Sequence, residues 1–292
     1  VGAEDGRVRV ATFSIGGIST GAALTAAREL AGKTAALTPG EIRRLVPTIG
    51  SVRLSGIEVD TKTKGTTATV PVSLGSLELL ADKPVEGIPT DLRLTLRNLS
   101  VPVAAAGEDD TAKQLAGLGY NKIEASMTAA LGWNEAGQEL VIRELSADGA
   151  GMGSVRIRGV VGNVPRDAFS ADEAMAAIAW VGATARSIDV VVQNTGLFER
   201  LLASQAAEKK KTVDELRREY GMTAAVGIPL MLGNSAPAKA LGQAVARFIA
   251  KPGRLTIEAR TRDSGGLGFA DFAASPDPTA LLEKVEIKAT AE

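Results

Sequence analysis

The chain of 292 residues contains neither histidine nor cysteine. That excludes the commonest general base near neutral pH, the thiol nucleophile, and the ligands of nearly all zinc, haem and iron–sulfur sites. Any catalysis would run on carboxylate, lysine, tyrosine or serine chemistry, and no familiar spacing of these occurs. No cofactor is expected, and the chain is read as no enzyme. Without cysteine there is no disulfide evidence in either direction. Aromatic residues make up only 3% of the chain. The core must therefore be built from Ala, Val, Leu and Ile, and aromatic stacking platforms for single-stranded nucleic acid or sugars are not expected. Thirty-three basic residues face 34 acidic ones, so no basic excess points to nucleic acid and no acidic excess to a basic partner. No run of about 18 apolar residues exists to span a bilayer as a helix. The most apolar stretch, Met222 to Leu232, is shorter and holds Gly227 and Pro229.

What is present is an apolar fraction of 45%, which suits an ordered chain. The length suits one elongated domain over 1–292, with candidate halves 1–105 and 118–292. Long ladders of period two predict strands. Ile123, Ala125, Met127, Ala129, Leu131 and Trp133 share one face; Lys122, Glu124, Ser126 and Thr128 share the other. Asn134 to Gly137 reads as the turn of a hairpin that returns over Glu139 to Leu145. Ala68, Val70, Val72 and Leu74 make another ladder. Leu92, Leu94 and Leu96 make a further one, which shifts at Arg97-Asn98 and resumes as Leu99, Val101 and Val103, the mark of a bulge. Ladders at Ile188–Val192, Leu255–Ala259 and Val285–Ala289 follow. One apolar and one polar face predict an antiparallel sheet covered on one side.

Helices are announced by their caps. Thr38-Pro39-Gly40-Glu41, Ser170-Ala171-Asp172-Glu173 and Thr212-Val213-Asp214-Glu215 read as capping boxes, the first opening a helix through Val46. Ser235 with Pro237 opens a helix that puts Leu241, Val245, Phe248 and Ile249 on one side and stops at Pro252-Gly253. Asp277-Pro278 caps a last short helix, and Ala22 to Lys33 is helical. Gly50-Ser51-Val52-Arg53-Leu54-Ser55-Gly56-Ile57 recurs as Gly153-Ser154-Val155-Arg156-Ile157-Arg158-Gly159-Val160. This echo is read either as convergence on common strand residues or as two related halves, each with a strand kinked at glycine.

Several clusters have plain structural readings. Glu108-Asp109-Asp110 lacks the alternating donors of a calcium loop. Lys209 to Lys211 and Arg217-Arg218 are interleaved with Glu208, Asp214, Glu215 and Glu219, as on a solvated helical pair. Gly265-Gly266-Leu267-Gly268 lacks the Lys-Ser/Thr ending of a phosphate loop and reads as a turn. Gly149 to Gly153 fails the dinucleotide pattern. Tyr120 and Tyr220 stand alone. Met222 to Leu232 is apolar all round, which predicts a buried core helix first and the wall of a greasy cavity second.

Leu118-Gly119-Tyr120, the Ile123–Trp133 ladder, Trp133-Asn134 at the hairpin, Gly151-Met152-Gly153 and Gly162-Asn163-Val164-Pro165 form a pattern. It continues in Lys251-Pro252-Gly253-Arg254-Leu255 and Ser275-Pro276-Asp277-Pro278. This resembles exported alphaproteobacterial proteins of unknown function and, more distantly, AsmA-like envelope proteins. The resemblance implies a signal-peptide-bearing envelope protein with a long antiparallel sheet, and the distant link implies lipid handling. The opening Val1-Gly2-Ala3-Glu4 has no initiator Met, which fits a cleaved signal peptide or a trimmed chain, and periplasmic localisation is expected.

The expected fold is α+β: a long, twisted antiparallel sheet with several helices packed on it or wrapped by it. The expected function is non-catalytic binding of an apolar small molecule or lipid between sheet and helices. Its wall is assigned to Ala125, Met127, Ala129, Leu131, Met222, Val226, Leu230 and Met231. The alternative is a structural or protein-interaction module with a solid core. Peripheral contact with membrane or envelope proteins is compatible with either, and no nucleic-acid partner is expected.

Overall fold

The computed structural model describes residues 7–62, 69–106, 110–268, 271 and 278–292. Eleven strands form one antiparallel sheet: β1 (Arg7–Gly16), β2 (Ser51–Lys62), β3 (Thr69–Val85), β4 (Ile88–Pro102), β5 (Lys122–Asn134), β6 (Glu139–Gly149), β7 (Gly153–Gly162), β8 (Thr184–Asn194), β9 (Arg254–Thr261), β10 (Leu267–Gly268) and β11 (Val285–Ala291). Their order is sequential from β1 to β9 and then β11, with β10 paired to the end of β8. The helices among the described residues are α1 (Gly21–Leu30), α2 (Pro39–Arg44), α3 (Asp110–Gly117), α4 (Glu173–Val181), α5 (Leu197–Glu208), α6 (Val213–Met231), α7 (Ala236–Ala250) and α8 (Pro278–Glu283). The chain is thus α+β, as the ladders and caps predict. The sheet is an open meander.

Strand pairing fixes what each face carries, because directly opposed residues of antiparallel strands point to the same side. The ladder of β5 is regular, so Ala125 and Met127 share a face. Met127 opposes Leu96 and Ala125 opposes Leu99, with the register shifting between them. Leu96 and Leu99 therefore point the same way across Arg97-Asn98, and Asn98 takes φ 55 to allow it. The bulge lies where the sequence predicts it. It also extends sideways: Leu96 and Leu99 oppose Leu77 and Leu74, which oppose Leu54 and Ile57, which oppose Phe13 and Val10. Four neighbouring strands thus share a two-residue step that keeps their apolar residues on one side. Gly56 sits in that step with φ +59, where a Cβ would lie 2.7 Å from the Ala11 Cβ; only glycine fits without strain. On the other side of β5, Ala147, Val155, Val192, Leu255 and Ala291 carry the same face to the far edge.

The opposite face is polar and laced with cross-strand ion pairs. Arg9 pairs with Glu58 at 3.2 Å, Arg53 with Glu78 at 2.5 Å, and Arg260 with Asp189 at 3.2 Å. Arg143 grips Asp91 through both carboxylate oxygens, at 2.6 and 2.9 Å. It lies across Gly132, where a Cβ would clash with its guanidinium. Such pairs fix register and solubility more than stability.

The helices cover the apolar face at its borders. At one end of the strands Trp133, Val164, Ala168, Phe169 and Val85 form a core, with Leu140 and Val161 of the sheet beside it. Trp133 donates its indole N–H to the Val164 carbonyl at 2.9 Å and meets Phe169 at a ring distance of 4.8 Å. At the other end Val103, Ala112 and Tyr120 pack with Leu118, Met152 and Leu197. Along the β8–β9–β11 side, Ala244 and Phe248 of α7 sit on Leu255, Ile257 and Ala289. Helix α6 lies on α7, not on the sheet. Gly242 makes this possible, since a Cβ there would lie 2.8 Å from Pro229.

The caps form largely as expected. Thr38 and Thr212 make full capping boxes with Glu41 and Glu215, and Ser235 caps α7. Helix α2 stops at Arg44 rather than Val46. The cap of α4 is Asp172, accepting from the Ala174 and Met175 amides, while Ser170 accepts from Asp172; the aspartate is nearer the helix and wins the first-turn amides. Val103 starts a 3-10 turn rather than ending a strand. Gly265 to Gly268 is a turn, as expected, but its end pairs as β10 with Thr184–Ala185. The glycine echo falls on β2 and β7, but the inner glycines differ: Gly56 has a positive φ and Gly159 does not, while Gly153 at the start of β7 takes φ 143. Gly159 is needed for space instead, since a Cβ there would approach the Ser187 carbonyl at 2.8 Å. Ala68, Glu108, Asp109 and the stretch Ser275 to Asp277 lie outside the described residues; Asp110 opens α3.

Met222 to Leu232 is corrected. It is the second half of the continuous helix α6, and it is not a buried core helix. Leu216, Ala224 and Pro229 are buried, whereas Met222, Val226, Leu230 and Met231 are exposed, Leu230 by 76% and Met231 by 75%. The helix has a partner on one side only, so the rest of its apolar girth faces outward.

Candidate functional site

Between the borders the apolar face is uncovered. Leu94 is 39% exposed, Met127 51%, and Ile188 46%, although all three point to the side that the border helices cover elsewhere. In a chain whose other sheet face is saturated with ion pairs, this is an open apolar bay.

The bay deepens into a cavity of about 460 Å³ where α5 and α7 overhang β5 to β8. Ala125, Ala147, Val155 and Val192 form its floor, and Leu197, Phe198, Leu201 and Phe248 its roof. Small residues make the room: Ala125 and Ala147 lie on adjacent strands where a Leu or Met would fill the space. The roof is held by a specific set of bonds. The Asn194 amide group donates to Glu199 at 3.0 and 2.8 Å and its oxygen accepts from the Phe198 amide at 3.0 Å. The Phe198 and Phe248 rings meet edge-on at 5.8 Å. Arg200 lies 4.5 Å over the Tyr120 ring and donates to the Leu118 carbonyl, while the Tyr120 hydroxyl donates to the Gly151 carbonyl at 2.9 Å. Tyr120 therefore pins α5, and with it the roof.

The site's chemistry is that of enclosure. Asp148 is the one ionisable group on the cavity wall among the described residues; the other polar groups are Ser154, Gln193 and Asn194 at its edge. Volume and lining match apolar ligand pockets, which run to about 300–1,000 Å³. The carboxylates held below their ordinary range lie elsewhere. Asp91 and Glu144 are held below the usual range by Arg143 and by the Ser146 hydroxyl with Arg156, on the polar face. Glu41 is lowered to about 2, chiefly by the Lys33 ammonium and then by the Thr38 amide, in the α2 cap.

Of the wall residues expected from sequence, Ala125 lines the cavity. Met127, Ala129 and Leu131 continue the same face across the bay. Met222, Val226, Leu230 and Met231 lie on α6, apart from the cavity lining. The sequence analysis missed Leu197, Phe198, Leu201 and the role of Phe248. One signal was available: the chain has only six phenylalanines, and two of them, Phe198 and Phe248, stand in helical segments, α5 and α7.

Fold and site together define an α+β protein with a one-sided antiparallel sheet and a helix-roofed apolar cavity. A family model described as "Uncharacterized protein" matches residues 146–292, just over half of the chain, and the chain belongs to that family. The match takes in all of the cavity roof and most of its floor. No curated protein matches the chain.

Proposed function

We propose that this is a non-catalytic protein of the cell envelope that binds an apolar molecule, such as a lipid, between sheet and helices. The observation that carries this reading is the uncovered apolar face around Leu94, Met127 and Ile188, continuous with a cavity whose wall bears a single ionisable group. Transfer of apolar surface from water, at about 25 cal/mol per Å², holds such a ligand without polar anchors. The sequence resemblance to exported alphaproteobacterial proteins, and at a distance to AsmA-like proteins, supports a periplasmic setting and a lipid as ligand. Exposed Ile178 and Val181 on α4, with Leu230 and Met231 on α6, support peripheral contact with a membrane.

The test is native mass spectrometry together with solvent extraction of freshly purified protein. A co-purifying lipid is expected; blanks in both, together with failure to bind a neutral apolar probe, refute the reading. A structural or interaction module is the second reading, and one observation favours it. Strand β1 is an edge strand with Val8, Val10, Phe13 and Ile15 all exposed, a template for addition of another strand. Under that reading the same spectra show a complex of chains and no lipid.

A further inference from the structure

At the α2 end of the strands, two adjoining cavities of about 600 and 640 Å³ share Arg43, Val46, Thr48, Pro84 and Gly87. The first is also lined by Leu79 and Ala81. These two oppose Leu94 and Leu92 across the β3–β4 pair, so this cavity opens onto the same apolar face as the bay. Arg43 stands at the junction. Its Nη1 is buried with no hydrogen-bond partner, and among the described residues Arg43 has no ion pair. Arg186 and Arg217 also have an unpartnered buried nitrogen, but each spends another, on Glu139 and on the Ala250 carbonyl at 3.0 Å. Arg43 spends none.

The neighbouring charges each have a contact of their own, and Asp82 and Glu86 among them also line these cavities. Arg44 is held by Glu29. Glu86 accepts from the Ala171 amide at 2.9 Å, and Asp82 accepts from the Lys83 amide at 2.7 Å. Lys83 reaches Asp91 at 3.5 Å. The site is kept open by Gly87, whose φ of +81 and missing Cβ admit the Arg43 stem; a Cβ there would lie 3.2 Å from the Arg43 Cγ. The Thr38 capping box fixes the short helix that carries it. A guanidinium nitrogen that is buried and unpaired is costly, and the planar fork it belongs to matches a carboxylate or phosphate.

We infer that Arg43 is the receptor for the anionic headgroup of an amphiphile, a carboxylate or phosphate, whose apolar chain lies along Leu79, Leu94 and the bay. This rests on the proposed apolar binding and names the class of ligand. The test uses the full chain with N-phenyl-1-naphthylamine, a neutral fluorescent probe, displaced by dodecanol, dodecanoate or dodecyl phosphate. Arg43→Gln is expected to weaken an anionic competitor about tenfold or more while leaving dodecanol within about twofold. Arg43→Lys is expected to restore part of the loss, since it returns the charge without the fork. Loss with dodecanoate alone identifies a fatty-acid headgroup, and loss with dodecyl phosphate a phospholipid one. Equal loss for dodecanol and the anions, or no loss for either anion, overturns the assignment. If titration calorimetry shows that the anions bind wild type and need Arg43 while dodecanol and the probe do not bind, the apolar reading fails and the Arg43 site stands. If none of the four binds, both fall.

Discussion

Met127→Glu separates an apolar floor that serves a ligand from one that serves the fold. Met127 sits in the middle of β5, between Leu96 and Ala147 on the neighbouring strands, and is 51% exposed. Full burial of a Met side chain yields about 1.5–3 kcal/mol, so roughly half of that, about 0.8–1.5 kcal/mol, is still to be gained when a ligand covers it. That is about four- to twelvefold in affinity. A carboxylate at the same place forfeits this gain and adds its own desolvation under the ligand, so dodecanol should bind at least about tenfold more weakly. The fold should hardly respond, with a change in urea stability within about 1 kcal/mol for a half-exposed strand position. The assay is displacement of the neutral probe, paired with urea unfolding. Unchanged dodecanol affinity would refute the claim that the bay is a binding floor. A large stability loss would show instead that Met127 belongs to a packed core.

Three other outcomes are expected. Trp133→Phe leaves the buried Val164 carbonyl without its donor and should cost about 1–3 kcal/mol, against about 3–5 kcal/mol for Trp133→Ala; urea midpoints that scarcely move would discredit the end core as an anchor. Thr212→Ala removes the α6 capping box and should lower stability by about 1 kcal/mol with no effect on probe binding; weakened binding would mean that α6 shapes the cavity. Glu41 titrates near 2 against an ordinary 4.5 because of Lys33 and Thr38. A depressed carboxylate contributes stability above its unfolded value and loses it as pH falls through the folded one, so the α2 contribution should fade from about pH 4.5 down to 2. Glu41→Gln should flatten the pH dependence of the melting temperature in that window, and identical profiles for the two proteins would remove the Lys33–Glu41 pair from the account.

Strand ladders and caps were legible because both are local. The period-two runs at Ile123–Trp133 and Ile188–Val192, the Arg97-Asn98 bulge, and the Thr38, Thr212 and Ser235 caps each need only a few consecutive residues. The α6 burial was illegible for the opposite reason. All-round apolarity says how much surface a helix would bury but not how many partners it has, and α6 has α7 and part of α5 on one side alone. Ala125 was found because a small residue stood in an apolar ladder. The roof was missed because α5 is held in place by the Tyr120–Gly151 and Arg200–Leu118 bonds, which span 31 and 82 positions. The four-strand step across Phe13, Leu54, Leu77 and Leu96 is visible only once pairing is known.

The meander has a consequence for how the molecule holds together when pieces are added or lost. From β1 to β9 each strand bonds to those just before and after it in the chain, so no distant segment must be threaded between finished partners. An extra hairpin at the β1 border would lengthen the greasy floor by one slat on each leg, and would leave all the existing rungs intact. The apolar face thus grows by simple accretion, with the overhanging helices staying where they are.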